Sequence, residues 1–365
     1  MWHPYFPTME TRDLSDHRPY SAGRGIEEVA RELGLDPDDL VKLSSNENPH
    51  GPSPRAVDAI EAAADTVHTY PKAAHADLTA ALADRWNLRN DQVWLGAGGD
   101  GVLDYLGRTF LDPGDRVLVP DPGFAYYPMS ARYHNGEVDR YHLDKANGFT
   151  QTADRVLDAF DGHRIVYVTT PHNPSGSEMP LDEIATFARR TPEETLVVVD
   201  EAYGEFTTGA SARELLDERD DVAVVRTFSK AYGLAGLRLG YGLVPTDWAS
   251  AYERVNTPFG VNLLACHAGL AALDDEAHVE RTVKTVRWAR EYMRTNLDVV
   301  TWESGGNFVL AEVGDAEAVA GATQQEGVIV RDCSSFGLPG CIRVSCGTRE
   351  ATRRAVDVVN EVVGA

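Results

Sequence analysis

The sequence predicts an α/β protein, with a large domain built on a mostly parallel sheet flanked by helices and joined to a smaller α/β domain. Three observations carry this expectation. Helical and strand signals alternate through most of the chain, the pattern of a layered sheet. The stretches "RIVYVTTP", "TLVVVDEAY" and "VAVVRTFSK" are near-continuous apolar runs, as strands covered on both faces require. After a helical stretch near 280–297 the texture changes to shorter strands. A length of 365 residues suits about two domains.

In chain order, "GIEEVARELG" (25–34) places Ile26, Val29 and Leu33 at helical spacing and stops at Gly34. "SPRAVDAIEAAA" (53–64) is a second helix. "QVWLGAGG" and "RVLVPDPG" are short strands running into glycine turns, with the helix "VLDYLGRTFL" between them. The three long apolar runs follow, each ending in polar residues. Ligands of such sheets bind beyond the carboxyl ends of the strands, where Asp121, Asn173, Asp200 and Lys230 fall. Then come "NFVLAEV", "GVIVRDC" and "CIRVSCG" as short strands and "REATRRAVDVVNEVV" as a closing helix.

Formal net charge is −23, with the acid spread along the chain. A field of that sign repels phosphate backbones, which disfavours nucleic acid, and no nucleic-acid partner is expected. Of the 34 basic residues only five are lysines (Lys42, Lys72, Lys145, Lys230, Lys284). Abundant acid with few lysines suits work in concentrated salt, where screening tames self-repulsion. No basic start leads into an apolar run and no stretch is long enough to span a membrane, so a cytoplasmic location is expected. The cysteines (Cys266, Cys333, Cys341, Cys346) have no C-x-x-C or zinc-ligand spacing, and the histidines are scattered, so no metal is expected.

Two glycine-bearing segments compete to define the chemistry. "GAGGDG" (96–101) follows a strand and opens a helix, with Asp121 twenty residues beyond Gly101, a passable dinucleotide fingerprint. Its glycines guarantee less: backbone N–H groups of Gly98, Gly99 and Asp100 can approach an anion, and any phosphate would do. The downstream strand ends decide. Asn173 sits in a rigid turn before Pro174 and Gly176, Asp200 follows four apolar residues, and Tyr203 lies three on. Lys230 comes after another apolar strand, where desolvation favours a nucleophilic amine. Arg238 lies past Gly233 and Gly236, so the loop can curl it back toward an anion. A phosphorylated pyridine aldehyde explains these residues together. Lys230 bonds the aldehyde, Asp200 pairs with the ring N–H, and Asn173 and Tyr203 meet the ring hydroxyl. Ser229, Arg238 and the 98–100 backbone hold the phosphate, and Phe124 stacks on the ring.

The segments "SSNENPHGPSP", "TYP", "TPHNPSG", "VVVDEAY", "TFSKAYGLAGLRLGY" and "IRVSCGT" resemble those of the fold-type-I pyridoxal-phosphate aminotransferases. The likeness runs from about residue 17 to the end. Within that superfamily, "HRPYSAGRGIEEVARELG", the N-E-N-P block and the "VIVRDC…IRVSCGT" tail are similar to the histidinol-phosphate aminotransferases. The resemblance implies pyridoxal 5'-phosphate as cofactor, with Lys230 as the catalytic lysine that holds it and shuttles the proton. It implies a cofactor domain at 46–264, and a small domain of residues 1–45 and 265–365 that closes over the substrate. It implies a homodimer with shared sites, Tyr70 reaching the neighbouring subunit's cofactor phosphate. Tyr20, Asn46, Arg331 and Arg343 would meet the substrate, the implied reaction being transfer of the amino group of L-histidinol phosphate to 2-oxoglutarate. The chain departs from the family pattern in three places. G-A-G-G-D-G stands for the usual G-x-G-S-D-E, N-P-S-G for N-P-T-G, and Phe124 for a tyrosine. "PGFAYY" is also similar to threonine-phosphate decarboxylases, and an aromatic aminotransferase would share every cofactor residue. A nicotinamide oxidoreductase, resting on the glycine loop and Asp121, leaves Lys230 and Asp200 without a purpose.

Overall fold

A computed structural model describes residues 9, 11, 13–20, 23–72 and 75–364; residues 1–8 of the expected N-terminal arm lie outside it. Its centre is a seven-stranded sheet formed by β2 (Val93–Gly96), β3 (Arg116–Asp121), β4 (Glu137–His142), β5 (Ile165–Thr169), β6 (Leu196–Asp200), β7 (Val222–Thr227) and β8 (Gly240–Leu243), in the order β2-β8-β7-β6-β5-β3-β4. β1 (Val41–Lys42) lies outside it. Every pairing from β4 to β7 is parallel, and β8 runs antiparallel to both neighbours.

The apolar runs explain the layering. Period-two alternation sends Val166, Val168, Val197 and Val199 to one face and Ile165, Tyr167, Leu196 and Val198 to the other, and both sets are buried in separate cores. Helices Pro54–Ala63, Ala76–Trp86, Leu181–Arg190 and Leu263–Leu273 bring apolar side chains to the first core; Gly98–Phe110 and Tyr126–Tyr133 supply the second. The expected helix at 25–34 spans Ile26–Leu33 and ends on Gly34 in the left-handed region (φ 69°), where glycine carries no Cβ penalty.

The C-terminal strands form a different sheet. β9 (Val300–Thr301), β10 (Phe308–Glu312), β12 (Arg331–Asp332) and β13 (Cys341–Ser345) pair antiparallel in the order β12-β13-β10-β9. The helices Glu276–Asn296 and Arg349–Gly364 pack on its apolar face. "GVIVRDC" corrects the expectation of a single strand. Val328–Ile329 (β11) pairs parallel with β1, while Arg331–Asp332 pairs with β13, so the chain changes sheets at Val330. Arg331 therefore begins a strand rather than ending one. No helix among the described residues is long and apolar enough to cross a membrane.

Candidate active site

The sheet order sets β5, β6 and β7 side by side, so their carboxyl ends deliver Asn173, Asp200, Ser229 and Lys230 to one cleft of about 480 Å³. Tyr20, Asn46, Gly99, Asp100, Phe124, Tyr203, Arg238, Arg331 and Arg343 also line it. Thirteen expected site residues are thus brought together, with a fourteenth, Gly98, lying against the Arg238 guanidinium. Tyr70 is not. It is 80% exposed, stacks on Phe259 with ring centres 4.6 Å apart, and does not line its own chain's cleft.

Asp200 is buried at the end of β6. Its carboxylate accepts from the Tyr127 hydroxyl at 2.7 Å and from the Ala202 N–H at 2.9 Å. Burial pushes its pKa up to about 6 against those two bonds, so a cationic partner in the cleft would relieve a real cost. Lys230 shows the complementary shift. Burial, then the Arg343 charge, lowers its amine to about 8, with Glu47 and Asp100 opposing. Its Nζ reaches the Ser45 carbonyl at 3.4 Å, a weak hold that leaves the amine available.

An anion cradle forms at the helix Gly98–Phe110, whose N-terminal residues Gly99 and Asp100 line the cleft. Arg238 adopts φ 52° and folds back, donating from Nη1 to the Ser229 hydroxyl at 3.4 Å and from Nη2 to Asp100 at 3.1 Å. Gly98, itself at φ 77°, lies where a Cβ would strike that guanidinium. Gly233 makes the fold-back possible: at φ 71° it passes so close to the Gly51 carbonyl that no side chain fits. Asp121 is elsewhere. It pairs with Arg140 at 3.3 Å and is absent from the cleft lining, so it does not join the glycine loop there as the acid of a dinucleotide fingerprint.

The second sheet closes the cleft. Ile342 and Val344 enter its core while Arg343, between them, turns to the opposite face and is buried against the cleft. Arg343 donates to the Asn173 side-chain oxygen and, at 2.9 Å, to the Ser44 carbonyl; its Nε has no partner among the described residues. With that oxygen committed, the N–H groups of Asn173 remain as donors. Arg331 stands opposite Arg343 in the β12–β13 register and touches the Ser335 hydroxyl at 3.1 Å. Tyr20, 52% exposed, meets Phe124 edge-on at 6.3 Å.

Several contributors escape sequence reasoning. Tyr127, third aromatic of "DPGFAYY", is fully buried and spans Thr169 and Asp200. Only its place on the inner face of Tyr126–Tyr133 separates it from Tyr126, and nothing in the quoted run marks that face. Asn48 of the N-E-N-P block holds the backbone carbonyls of Lys230 (3.2 Å) and Ala231 (2.8 Å), a contact across 182 and 183 positions. Ser345 at the end of β13 and Asn307 just before β10 hold Asn46.

A buried carboxylate, an amine of lowered pKa, and a serine–arginine pair at a helix start fit one kind of group: a phosphorylated ring bearing a cationic nitrogen and an aldehyde.

Over residues 38–359 the chain matches the family model for aminotransferase class I and II. It is 67% identical over 355 residues to the histidinol-phosphate aminotransferase of Haloarcula marismortui, covering 97% of this chain and 99% of the relative. The namesake from Halorubrum lacusprofundi is 66% identical, over 97% of this chain and 98% of its own. Both come from halophilic archaea, as the acidic, lysine-poor composition leads one to expect. Among solved structures, histidinol-phosphate aminotransferase from Sinorhizobium meliloti in complex with pyridoxal-5'-phosphate superposes with TM-score 0.86 at 26% identity, over 99% of each chain. Aspartate aminotransferase from Thermus thermophilus with maleate shares the fold at TM-score 0.82 and 23% identity, over 97% and 100% of the two chains.

Proposed function

Because the chain belongs to the class I and II aminotransferases, and is 67% identical to a histidinol-phosphate aminotransferase, we propose that it moves the amino group of L-histidinol phosphate to 2-oxoglutarate in histidine biosynthesis. It is a pyridoxal-phosphate-dependent enzyme of the fold-type-I architecture. The meeting of Lys230, Asp200 and the Ser229–Arg238 pair in one cleft carries the cofactor, and the 67% identity carries the substrate.

When bound, pyridoxal phosphate supplies an electrophilic aldehyde and a cationic ring that stabilises negative charge at the carbon losing its proton. The chain's residues then have separable tasks. Asp200 keeps its charge against the ring N–H, a pairing that its burial makes favourable. Arg238, Ser229 and the backbone N–H groups at Gly98, Gly99 and Asp100 hold the phosphate at the helix start. Phe124 covers the ring face, and Asn173 and Tyr203 hydrogen-bond its hydroxyl. Lys230, with its pKa near 8, has an Nζ able to take a proton from the substrate carbon and return it elsewhere near neutral pH.

Tyr20 and Arg331 at the open end, with Arg343 and Asn46 buried behind them, receive the substrate, the two guanidinium forks being suited to a phosphate dianion. Residues 46–264 act as the cofactor domain, and the flanking segments 1–45 and 265–365 as the smaller domain that excludes water. Tyr70, exposed and outside its own cleft, serves the cofactor phosphate of a second copy, which makes the working unit a homodimer. The cytoplasm is its place of work.

Half-reactions test the substrate. L-histidinol phosphate, threonine phosphate and phenylalanine are mixed separately with the yellow holoenzyme, and loss of the yellow band is followed. Fast conversion by histidinol phosphate alone is expected; equal or faster conversion by either competitor overturns the assignment.

A further inference from the structure

Asn46 occupies the left-handed region (φ 55°), costly for a side-chain-bearing residue unless its surroundings hold it there. They do, from every side. Its backbone N–H donates to the Ser345 hydroxyl at 2.8 Å, and its carbonyl accepts from the Asn307 amide at 2.9 Å. Its side chain accepts from the same Ser345 hydroxyl at 3.0 Å and donates to the Tyr203 hydroxyl at 3.0 Å. All four residues are buried, although Asn46 and Asn307 stand 261 positions apart in the chain.

The direction of each proton follows. A backbone N–H can only donate, so the Ser345 oxygen accepts from Asn46, and its own hydrogen must find an acceptor in a buried place. The Asn46 side-chain oxygen is that acceptor. Turning the amide over would leave the Ser345 hydrogen unpaired and would spend the Tyr203 hydrogen on Asn46. With the amide as it stands, Tyr203 accepts from Asn46, and its single hydrogen is kept for the cleft. Burial holds Tyr203 protonated, its pKa pushed up to about 12.

We propose that Ser345 is a positioning residue which, through the Asn46 amide, fixes Tyr203 as a hydrogen donor to the ring oxygen of the cofactor. The inference rests on the reading that Tyr203 faces that oxygen. Asn307 supports it by pinning the Asn46 backbone; Ser345 ends β13 and Asn307 immediately precedes β10, so docking of the second sheet sets the polarity of a hydroxyl at the first.

Ser345→Ala in the full-length chain tests this, with the Tyr203 ring carbon bearing the hydroxyl followed by carbon-13 NMR without cofactor and assigned through Tyr203→Phe. The released amide turns its oxygen to Tyr203, so the signal moves downfield as the phenol becomes a donor to it. Ser345→Thr, which keeps the hydroxyl, restores the original position. The dissociation constant for pyridoxal phosphate rises roughly two- to tenfold in Ser345→Ala, the worth of one hydrogen bond. For the analogue lacking the ring hydroxyl the rise disappears. Should Ser345→Ala fail to fold, Asn46→Asp gives the same downfield movement, since a carboxylate can only accept from Tyr203. An unmoved signal in the folded variants overturns the proposal. A moved signal with no change in cofactor affinity upholds the fixed polarity, and shows instead that Tyr203 does not face the ring oxygen.

Discussion

At the sheet end of the cleft, Asp200 is buried and held by Tyr127 and the Ala202 N–H, and Tyr203 is held by Asn46. At the open end, Tyr20 is half exposed on an N-terminal segment, and Arg331 stands on a two-residue edge strand against the Ser335 hydroxyl. The first half is over-determined by strands that are themselves core; the second is assembled from segments far apart in sequence. Chemistry common to many aminotransferases needs the first kind of construction, because the reacting atoms must be placed alike for every substrate. Choice among substrates can be written on the second without disturbing the sheet.

The largest expected effect lies at the rigid end. Lys230→Ala removes turnover while leaving the fold intact, because no other cleft residue combines an amine of lowered pKa with that position; proton transfer alone accounts for about 10²–10⁴-fold. Near-normal transamination by the purified variant would break the assignment of that end.

Next comes the contribution from a second subunit. Tyr70→Ala and Lys230→Ala chains, each inactive alone, are expected to regain about a quarter of wild-type activity when mixed in equal amounts and allowed to exchange. Half the dimers are then hybrids, each with one intact site. No recovery after verified exchange would confine Tyr70 to its own chain.

A smaller effect concerns the charge of Asp200. Its pKa in the fold, about 6, lies above the ordinary 3.8, so the folded chain binds the proton more tightly than the unfolded one. The stabilisation is complete below about 4 and is lost as pH rises through about 6. Without cofactor, the wild type should therefore lose about 3 kcal/mol relative to Asp200→Asn across that window. Bound cofactor should abolish the loss by supplying the ring cation. Denaturant unfolding at several pH values checks this, and a pH-independent difference between the two chains would mean that Asp200 is not desolvated.

Much of this architecture is legible in the amino-acid order alone. The apolar runs announce the parallel strands because burial on both faces leaves no polar alternation to confuse them. The residues just past their ends fall in the cleft because sheet order, rather than side-chain detail, puts them there. Other parts are hidden for physical reasons. The strand Gly240–Leu243 is half glycine and carries little pattern, so its antiparallel place between β2 and β7 leaves no mark in the sequence. Strand alternation alone turns Arg343 to the correct face, yet "GVIVRDC" reads as one strand, since only tertiary pairing reveals the change of sheets at Val330. Tyr127, Asn48 and Ser345 act through bonds to residues remote in sequence, and local pattern carries no trace of such partners.

Whether the open end reads the substrate's phosphate is decided by Arg331→Ala, assayed as kcat/KM with L-histidinol phosphate and with unphosphorylated amine donors. A charge-assisted hydrogen bond contributes about 1.5–3 kcal/mol. The variant should therefore lose roughly ten- to more than a hundredfold on the phosphorylated donor and little on the others. Equal losses on both would place phosphate recognition elsewhere and contradict the division of labour between the two ends of the cleft.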